Sequence, residues 1–432
     1  MLNNIKRGHF IEIKWPLFWV SFRNHLYLFE FKNYIGSVKR LARLITFLVS
    51  TVFIISCKSE AKKKEEIIQK QSELDSIALV YDSLNMDPRI DEYMQKLHKR
   101  SGFNGNVLIA KKGKIIYQNS FGWADYLHRD SLHMDSRFEL ASVTKPMTAL
   151  AVLQLIDKGQ VGMDQLVSDF FPGFPYEGVT VRQLLAHRSG LPNYVYFVDK
   201  IWSDRKKGMS NMDAINLLIE HKPARYGRPD GRFHYNNSNY MLLGAIIEKV
   251  SGQHFDEYMQ ENVFKPAGMK KTAALSRVKY DKIPTDVVGH DRVWRRSVVQ
   301  DYLDGPLGDK GIYSTVRDMF LLDKALKEGR LLKPALLDSA YVPRSDAKRG
   351  IFSYGYGWRM FTSGKEKIVY HTGWWHGFKN LYVRDLTNDI TIVLLSNMVN
   401  GSLNQLDELY KILEMPILRQ NAYDSNGGFV EH

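Results

Sequence analysis

The sequence predicts an α+β domain: an antiparallel sheet flanked by helices, with a mainly helical subdomain inserted between two sets of strands. Three observations carry this. Strand-like patterns cluster at both ends of the chain, "NGNVLIAKKGKIIYQNSFG" early and "GYGWRMF", "KIVYHTG", "KNLYVRD" and "DITIVLLSN" late. The turns between these strands are short, and short turns join antiparallel neighbours, because parallel ones need a long crossover. Between the two sets, residues 160 to about 340 read as helices broken by Gly/Pro turns such as "SGLPNY", "YGRPDG" and "KPAGM".

Taken in order, residues 1–37 are rich in Phe, Trp, Tyr and Ile without an assignable period. They are expected to be a non-native extension, with translation starting near Val38. Residues 38–57 have the layout of a secretory signal: basic Lys39, Arg40 and Arg43, an apolar run over 44–55, then Ser56 and Cys57. Ile54-Ile55-Ser56-Cys57 resembles a bacterial lipobox, so Cys57, the chain's single cysteine, is the expected lipidation site. That predicts a membrane-anchored lipoprotein of the cell envelope. Residues 58–85 are a polar linker, too rich in Lys, Glu, Gln and Ser to bury much. A domain over 86–415 follows and opens with an amphipathic helix at 88–100, where Ile90, Tyr93, Met94 and Leu97 recur at helical spacing. The "NGNVL…NSFG" hairpin comes next, turning at Lys-Lys-Gly. Within residues 138–155, "FELASVTKPMTALAVLQL", Ser142 and Lys145 stand at the very start of a helix apolar almost all round, which belongs in a core. After the late strands a closing helix spans 403–413, and 416–432 is a tail.

Composition is ordinary for a globular chain: 432 residues, 44% hydrophobic and 25% charged. The formal charge of +13 is uneven, since residues 1–57 hold eight Lys/Arg against two Glu. No basic stripe interleaves with aromatics, so no nucleic-acid partner is expected. One cysteine precludes an internal disulfide. His371 and His376 have neither a Cys partner nor a His-x-x-x-His spacing, so no metal or other cofactor is expected.

The chemistry gathers in three places. Ser-x-x-Lys occurs five times, at Ser59, Ser142, Ser203, Ser276 and Ser345, and only Ser142 heads a long apolar helix. Residues three apart share a helical face, so Ser142 and Lys145 meet where the helix begins. A buried lysine tends to lose its charge, and a neutral amine beside a hydroxyl activates a nucleophile. The second place is "GRFHYNNSNYMLLGAIIEKVSG", where Tyr235, Asn236 and Asn237 run into another apolar helix. A tyrosine there can shuttle a proton and an asparagine amide can grip a carbonyl. The third is "HTGWWHGFKNLYVRD", in which His371-Thr372-Gly373 ends one strand and Lys379 begins the next. Gly373 would let a substrate backbone approach, and the Trp374 N–H would donate to an oxyanion. "HRSGLPNY", with His187 and Tyr194, reads as a turn and scaffold first.

With these motifs in order, the chain resembles the serine β-lactamase and penicillin-binding-protein superfamily, in its class-C-like branch of carboxypeptidases and esterases. "FNGNVLIAKKGKIIYQNSFGWAD", "VTVRQLLAHRSGLPNY", "FKPAGMKKT", "GDKGIYSTVRDM" and "IVLLSN" support it over about residues 88–413. The resemblance implies a β-lactamase/transpeptidase-like α/β sandwich. It implies Ser142 as acylated nucleophile, Lys145 as proton acceptor and Tyr235 as relay to the leaving group. Asn237, His371, Thr372, Gly373 and Trp374 would bind substrate, with the N–H groups of Ser142 and Trp374 as oxyanion hole. Histidine replaces the lysine of the family's Lys-Thr-Gly motif, which puts efficient β-lactam hydrolysis in doubt and leaves acyl transfer intact. The expected substrate is a small molecule or peptide bearing an amide or ester, peptidoglycan-derived D-alanyl peptides among them. The alternative is a penicillin-binding-type sensor or a wall-associated binding protein without turnover.

Overall fold

The computed structural model describes residues 87–292, 295–345, 352–362 and 364–418. The extension 1–37, the signal with Cys57 and the linker 58–85 lie outside the described residues. Among those described, no helix is long and apolar enough to cross a membrane.

Helix α1, Pro88–Ser101, begins where the Asp87 carboxylate caps the Arg89 N–H and ends at Gly102 in the left-handed conformation. Strands β1, Gly105–Lys111, and β2, Lys114–Phe121, form the expected hairpin. The sheet is completed by β3 Phe352–Tyr354, β4 Arg359–Phe361, β5 Ile368–Trp375, β6 Phe378–Asp385 and β7 Ile390–Ser396, in the order β2-β1-β7-β6-β5-β4-β3. Every pairing is antiparallel, and β1 closes directly on β7, with Val107 opposite Leu394.

Alternation along the strands feeds two cores. Val107, Ile109, Leu381, Val383, Ile392 and Leu394 pack under Tyr93 and Leu97 of α1 and under Leu409 and Tyr410. Leu108, Ala110, Tyr382, Val393 and Leu395 face the other way, into the larger core built on the 138–155 segment and the insert. That second core holds α2 Thr144–Asp157, α3 Asn237–Ser251 and α4 Val316–Lys327. In α2 every residue from Thr144 to Leu155 is buried, as a helix apolar all round requires.

Two details differ from expectation. The closing helix is split into a 3-10 turn, Ser402–Asn404, and α5, Asp407–Ile412, and the Gln405 carbonyl between them accepts the Tyr93 hydroxyl. Packing continues past residue 415: Leu418 is still buried against the α1-side core, so the expected tail starts too early. The insert is mainly helical, as expected, with two short strands. Ala273–Ala274 and Ile312–Ser314 pair with Phe138–Glu139 in a small sheet that ties the insert to the chain entering α2.

Candidate active site

Ser142 stands where the chain turns into α2. Ala141 before it has φ +51°, a conformation costing a non-glycine residue about 1 kcal/mol, and Ala141–Val143 form a tight 3-10 turn. Backbone strain of this kind is retained where surrounding structure over-determines it. Here the Leu140 N–H donates to the Ile312 carbonyl at 2.8 Å, and β5 presses from the other side. A Cβ on Gly373 would lie 2.2 Å from the Leu140 oxygen. Gly373 was expected to admit a substrate backbone; its missing side chain instead admits the protein's own Leu140 carbonyl. The contact sets the end of β5 beside the Ser142 turn. Past Tyr370, β5 pairs only with β6 among the described residues, so its edge from His371 to Trp375 is left open.

Lys145, one helical turn on, is fully buried. Its Nζ lies 2.9 Å from each of three oxygens: Ser142 Oγ, Asn237 Oδ1 and the Asp309 carbonyl. Two of these are acceptors only. A neutral amine therefore commits its two N–H bonds to Asn237 and Asp309 and aims its lone pair at the Ser142 hydroxyl. Burial, helped by the charges of Lys310 and Arg359 and opposed by Asp309, lowers the Lys145 pKa to about 7. The Asp309 carbonyl reaches Lys145 because Gly308, at φ +110°, lets its loop approach α3, where a Cβ would meet the Tyr240 carbonyl at 2.4 Å.

Tyr235 immediately precedes the Asn236 cap of α3. Its ring lies 5.0 Å from Lys145 Nζ, and its hydroxyl shares a hydrogen bond with Ser142. Burial raises the phenol pKa, and the Arg359 charge and the Ser142 bond oppose the rise. His187 brackets this tyrosine. Its carbonyl accepts the His234 N–H at 2.9 Å, its Nδ1 accepts the Asn236 N–H at 3.2 Å, and its ring centroid is 4.5 Å from that of Tyr235. The His187→Leu variant removes one anchor, and a shift of about 1 Å costs on the order of 100-fold in rate. Labelling of Ser142 by a fluorophosphonate is thus expected to slow at least tenfold, with His187→Gln, which keeps an acceptor, closer to wild type.

His371 departs from its expected place. Its side chain is fully buried, with Nδ1 2.7 Å from the Thr372 carbonyl and Nε2 3.1 Å from the Tyr354 hydroxyl. Burial and the charges of Arg359 and Lys145 hold its pKa well below the ordinary histidine value. It is thus a neutral wall beneath the site, and its ring is not available to substrate. Thr372 is half-buried, and Trp374 is exposed at the rim. Ser142, Lys145, Tyr235 and Asn237 are brought together; Thr372 and Trp374 border them through β5; Cys57 lies outside the described residues.

Two groups escaped the sequence reading. Arg359, on β4 opposite Tyr370, holds its guanidinium 5.2 Å from the Tyr235 ring centre, and among the described residues no carboxylate pairs with it. Its signal was a charge between apolar Trp358 and Met360. The other is a carboxylate–histidine cluster, Asp301, Asp304 and His376, whose ligand-type atoms lie within 4.8 Å of one another. His376 turns a different ring nitrogen to each acid, Nδ1 to Asp304 at 3.1 Å and Nε2 to Asp301 at 3.6 Å. One metal ion binds one nitrogen of a ring, whereas an imidazolium bonds Asp304 from Nδ1 and faces the Asp301 charge with Nε2. The arrangement fits a clamped cation.

The family model described as Beta-lactamase matches residues 87–414. Penicillin-binding protein 4* of Bacillus subtilis (strain 168) is 34% identical over 327 residues, 72% of each chain. Putative penicillin-binding protein PbpX of the same organism is 27% identical over 362 residues, 82% of each chain. The solved penicillin binding protein from Bacillus halodurans superposes with a TM-score of 0.65 at 27% identity, over 74% of this chain and 98% of that one. The D-amino acid amidase of Ochrobactrum anthropi SV3 shares the fold, with a TM-score of 0.62 at 22% identity over 79% of this chain and 98% of its own. Matched across nearly all of the described domain and 34% identical to a relative over most of it, the chain belongs to the beta-lactamase family of serine hydrolases, on its penicillin-binding-protein-like side.

Proposed function

We propose that the protein is a carboxypeptidase-like serine hydrolase whose substrates present a free carboxylate close to the scissile amide. The observation that carries the reading is Arg359: a half-buried guanidinium over the Tyr235 ring, beside the open edge of β5, with no acid of its own among the described residues. Taking a guanidinium out of water without a partner is costly, and a substrate carboxylate supplies the missing charge. Because His371 is neutral and buried, Arg359 does the work that a lysine at position 371 would do. The preference for a D-alanyl or D-amino-acid centre rests on the penicillin-binding relatives and the D-amino acid amidase fold.

In this reading the Ser142 proton passes to the Lys145 lone pair as Oγ attacks the carbonyl carbon. The oxyanion falls between the Ser142 and Trp374 N–H groups. Tyr235 returns the proton to the departing amine, and water then releases the acyl group along the same path. Asn237, through its amide, fixes both Lys145 and the acyl side of the substrate. The same reading has the domain tethered outside the cytoplasm through Cys57, supported by the layout of residues 38–57.

The test compares acetyl-D-Ala-D-Ala with its C-terminal amide, on wild type and on Arg359→Gln, with Ser142→Ala as blank. Wild type should prefer the free acid, and Arg359→Gln should lose about 100-fold in kcat/KM on the acid while hardly changing on the amide, the worth of one charged hydrogen-bonded pair. An uncharged substrate favoured equally by both proteins would replace the proposal with an amidase or esterase. Stoichiometric acylation without release would favour the sensor.

A further inference from the structure

The Asp301–Asp304–His376 cluster sits between the two backbone segments that carry the oxyanion donors. On one side, Trp375 and His376 directly follow Trp374 on β5 and its turn. On the other, Glu139 lies three residues before Ser142 and is fully buried. The buried Asp304 carboxylate gathers three donors: Trp375 Nε1 at 2.7 Å, His376 Nδ1 at 3.1 Å and the Asp301 N–H at 2.6 Å. Two of the three come from the residues after Trp374, so one carboxylate fixes that strand end to the 301–304 turn. The Glu139 carbonyl accepts the Asn380 amide at 2.8 Å, fastening the nucleophile's approach to β6 as well. His376 itself takes φ +38°, a strained value held by this packing.

We propose that the Asp304–His376 pair, closed by the Trp375 indole, is a positioning device for the oxyanion hole, holding the Trp374 N–H in register with Ser142 while His376 carries a proton. The proposal rests on the acyl-enzyme reading above. The ring bonds Asp304 through Nδ1, and Asp301 lies 3.6 Å from Nε2, so the second acid favours the cation by its charge. The groups facing it are Asp301 and Asp304 from the 301–304 turn and Glu139 from the strand before Ser142. Tyr313 lies beyond Glu139, its hydroxyl 3.3 Å away, and Lys310 Nζ lies 4.9 Å from the Trp375 ring. Burial opposes the charge on His376, but the Asp304 bond and the charges of Asp304 and Asp301 outweigh it and raise its pKa. Glu139 is pushed up to about 8, chiefly by burial and then by Asp304. With a raised histidine pKa the clamp is complete below the ordinary histidine value and is lost as pH rises through the folded value. The site therefore carries its own alkaline limit.

The test measures the acylation rate of the full chain with p-nitrophenyl acetate from pH 6 to 10, for wild type, Asp304→Asn, His376→Gln, Trp375→Phe and the Asp304→Asn/His376→Gln double variant. Each single change should slow acylation about tenfold or more at neutral pH with little change in KM, since displaced oxyanion donors cost this much or more. The double variant should be no worse than the poorer single, and His376→Gln should flatten the alkaline limb. Wild-type rate and profile in Asp304→Asn would overturn the proposal, as would loss of activity in EDTA with recovery in zinc. If wild type is not acylated at Ser142, the acyl-enzyme reading fails. The clamp is then judged by tryptophan emission, which should shift through the alkaline limb in wild type and stay flat in His376→Gln and Trp375→Phe; a flat wild-type trace would refute it.

Discussion

Replacing Lys145 with methionine is expected to slow acylation of Ser142 by about 10⁴-fold while leaving the fold intact, because it removes the proton acceptor but keeps a flexible apolar stem in the same buried space. The wild-type rate should rise with pH through about 7, where Lys145 becomes the neutral amine that accepts the serine proton. The stability consequence has the opposite flavour. A lysine depressed from 10.5 to about 7 binds fewer protons folded than unfolded between those values, so its penalty on folding is complete below about 7 and fades toward pH 10.5. Lys145→Met lifts that penalty, and its melting temperature at neutral pH should equal or exceed that of wild type, the trade between stability and activity expected at a strained site. Thermal unfolding beside burst kinetics with p-nitrophenyl acetate checks both halves; an active Lys145→Met protein would refute the assignment.

The largest stability effect should come from Arg384→Met. Arg384 on β6 is 2% exposed and donates from Nε to Asp323 Oδ1 at 2.6 Å, while Asp323 on α4, 1% exposed, also receives Thr391 Oγ1 at 2.6 Å and Lys327 at 2.7 Å. A second guanidinium nitrogen bonds the Tyr341 hydroxyl. Removing the arginine leaves a buried carboxylate short of its main counter-charge, which costs about 3–5 kcal/mol, roughly 10 °C in melting temperature for a domain of this size. Burial acts to raise the Asp323 pKa, but Arg384, Lys327 and the hydrogen bonds lower it overall, so its contribution is present above the unfolded carboxylate value and lost in acid. The defect of Arg384→Met should therefore shrink between pH 7 and pH 4, where the stranded Asp323 takes up a proton. Pairing it with Asp323→Leu should recover most of the loss; a double variant as weak as the single would contradict this account.

Helix α1, the β1–β2 hairpin and the late strands were legible because each obeys a local rule. Ile90, Tyr93, Met94 and Leu97 repeat at helical spacing, and Lys112-Gly113 supply the left-handed pair that a tight hairpin turn needs. Ser142 and Lys145 were legible for a similar reason: three residues apart on one helix, they meet wherever the helix goes. The closing helix was misjudged at its break, where the Gln405 carbonyl meets the hydroxyl of Tyr93 from the other end of the domain, a contact no local pattern reveals. His371 was misjudged because its burial is set by β3 and β4, which bring Tyr354 and Arg359 around it.

Periodicity, capping and turn chemistry are properties of ten or fifteen neighbouring residues, and from them the chain alone specifies its helices, its strands and the serine–lysine pair. Which strand β1 joins is another matter. Its partner β7 lies nearly three hundred residues away, and only the joint burial of both sheet faces selects it. The same holds for everything that tunes the site. Burial beside Lys310 and Arg359 makes Lys145 a base, Asn237 Oδ1 and the Asp309 carbonyl orient it, Gly373 admits Leu140, Arg359 stands over Tyr235, and Asp304 clamps His376. Each of these pairs unites residues from separate elements, and its energy arises from desolvation at a contact that exists only once the domain has closed.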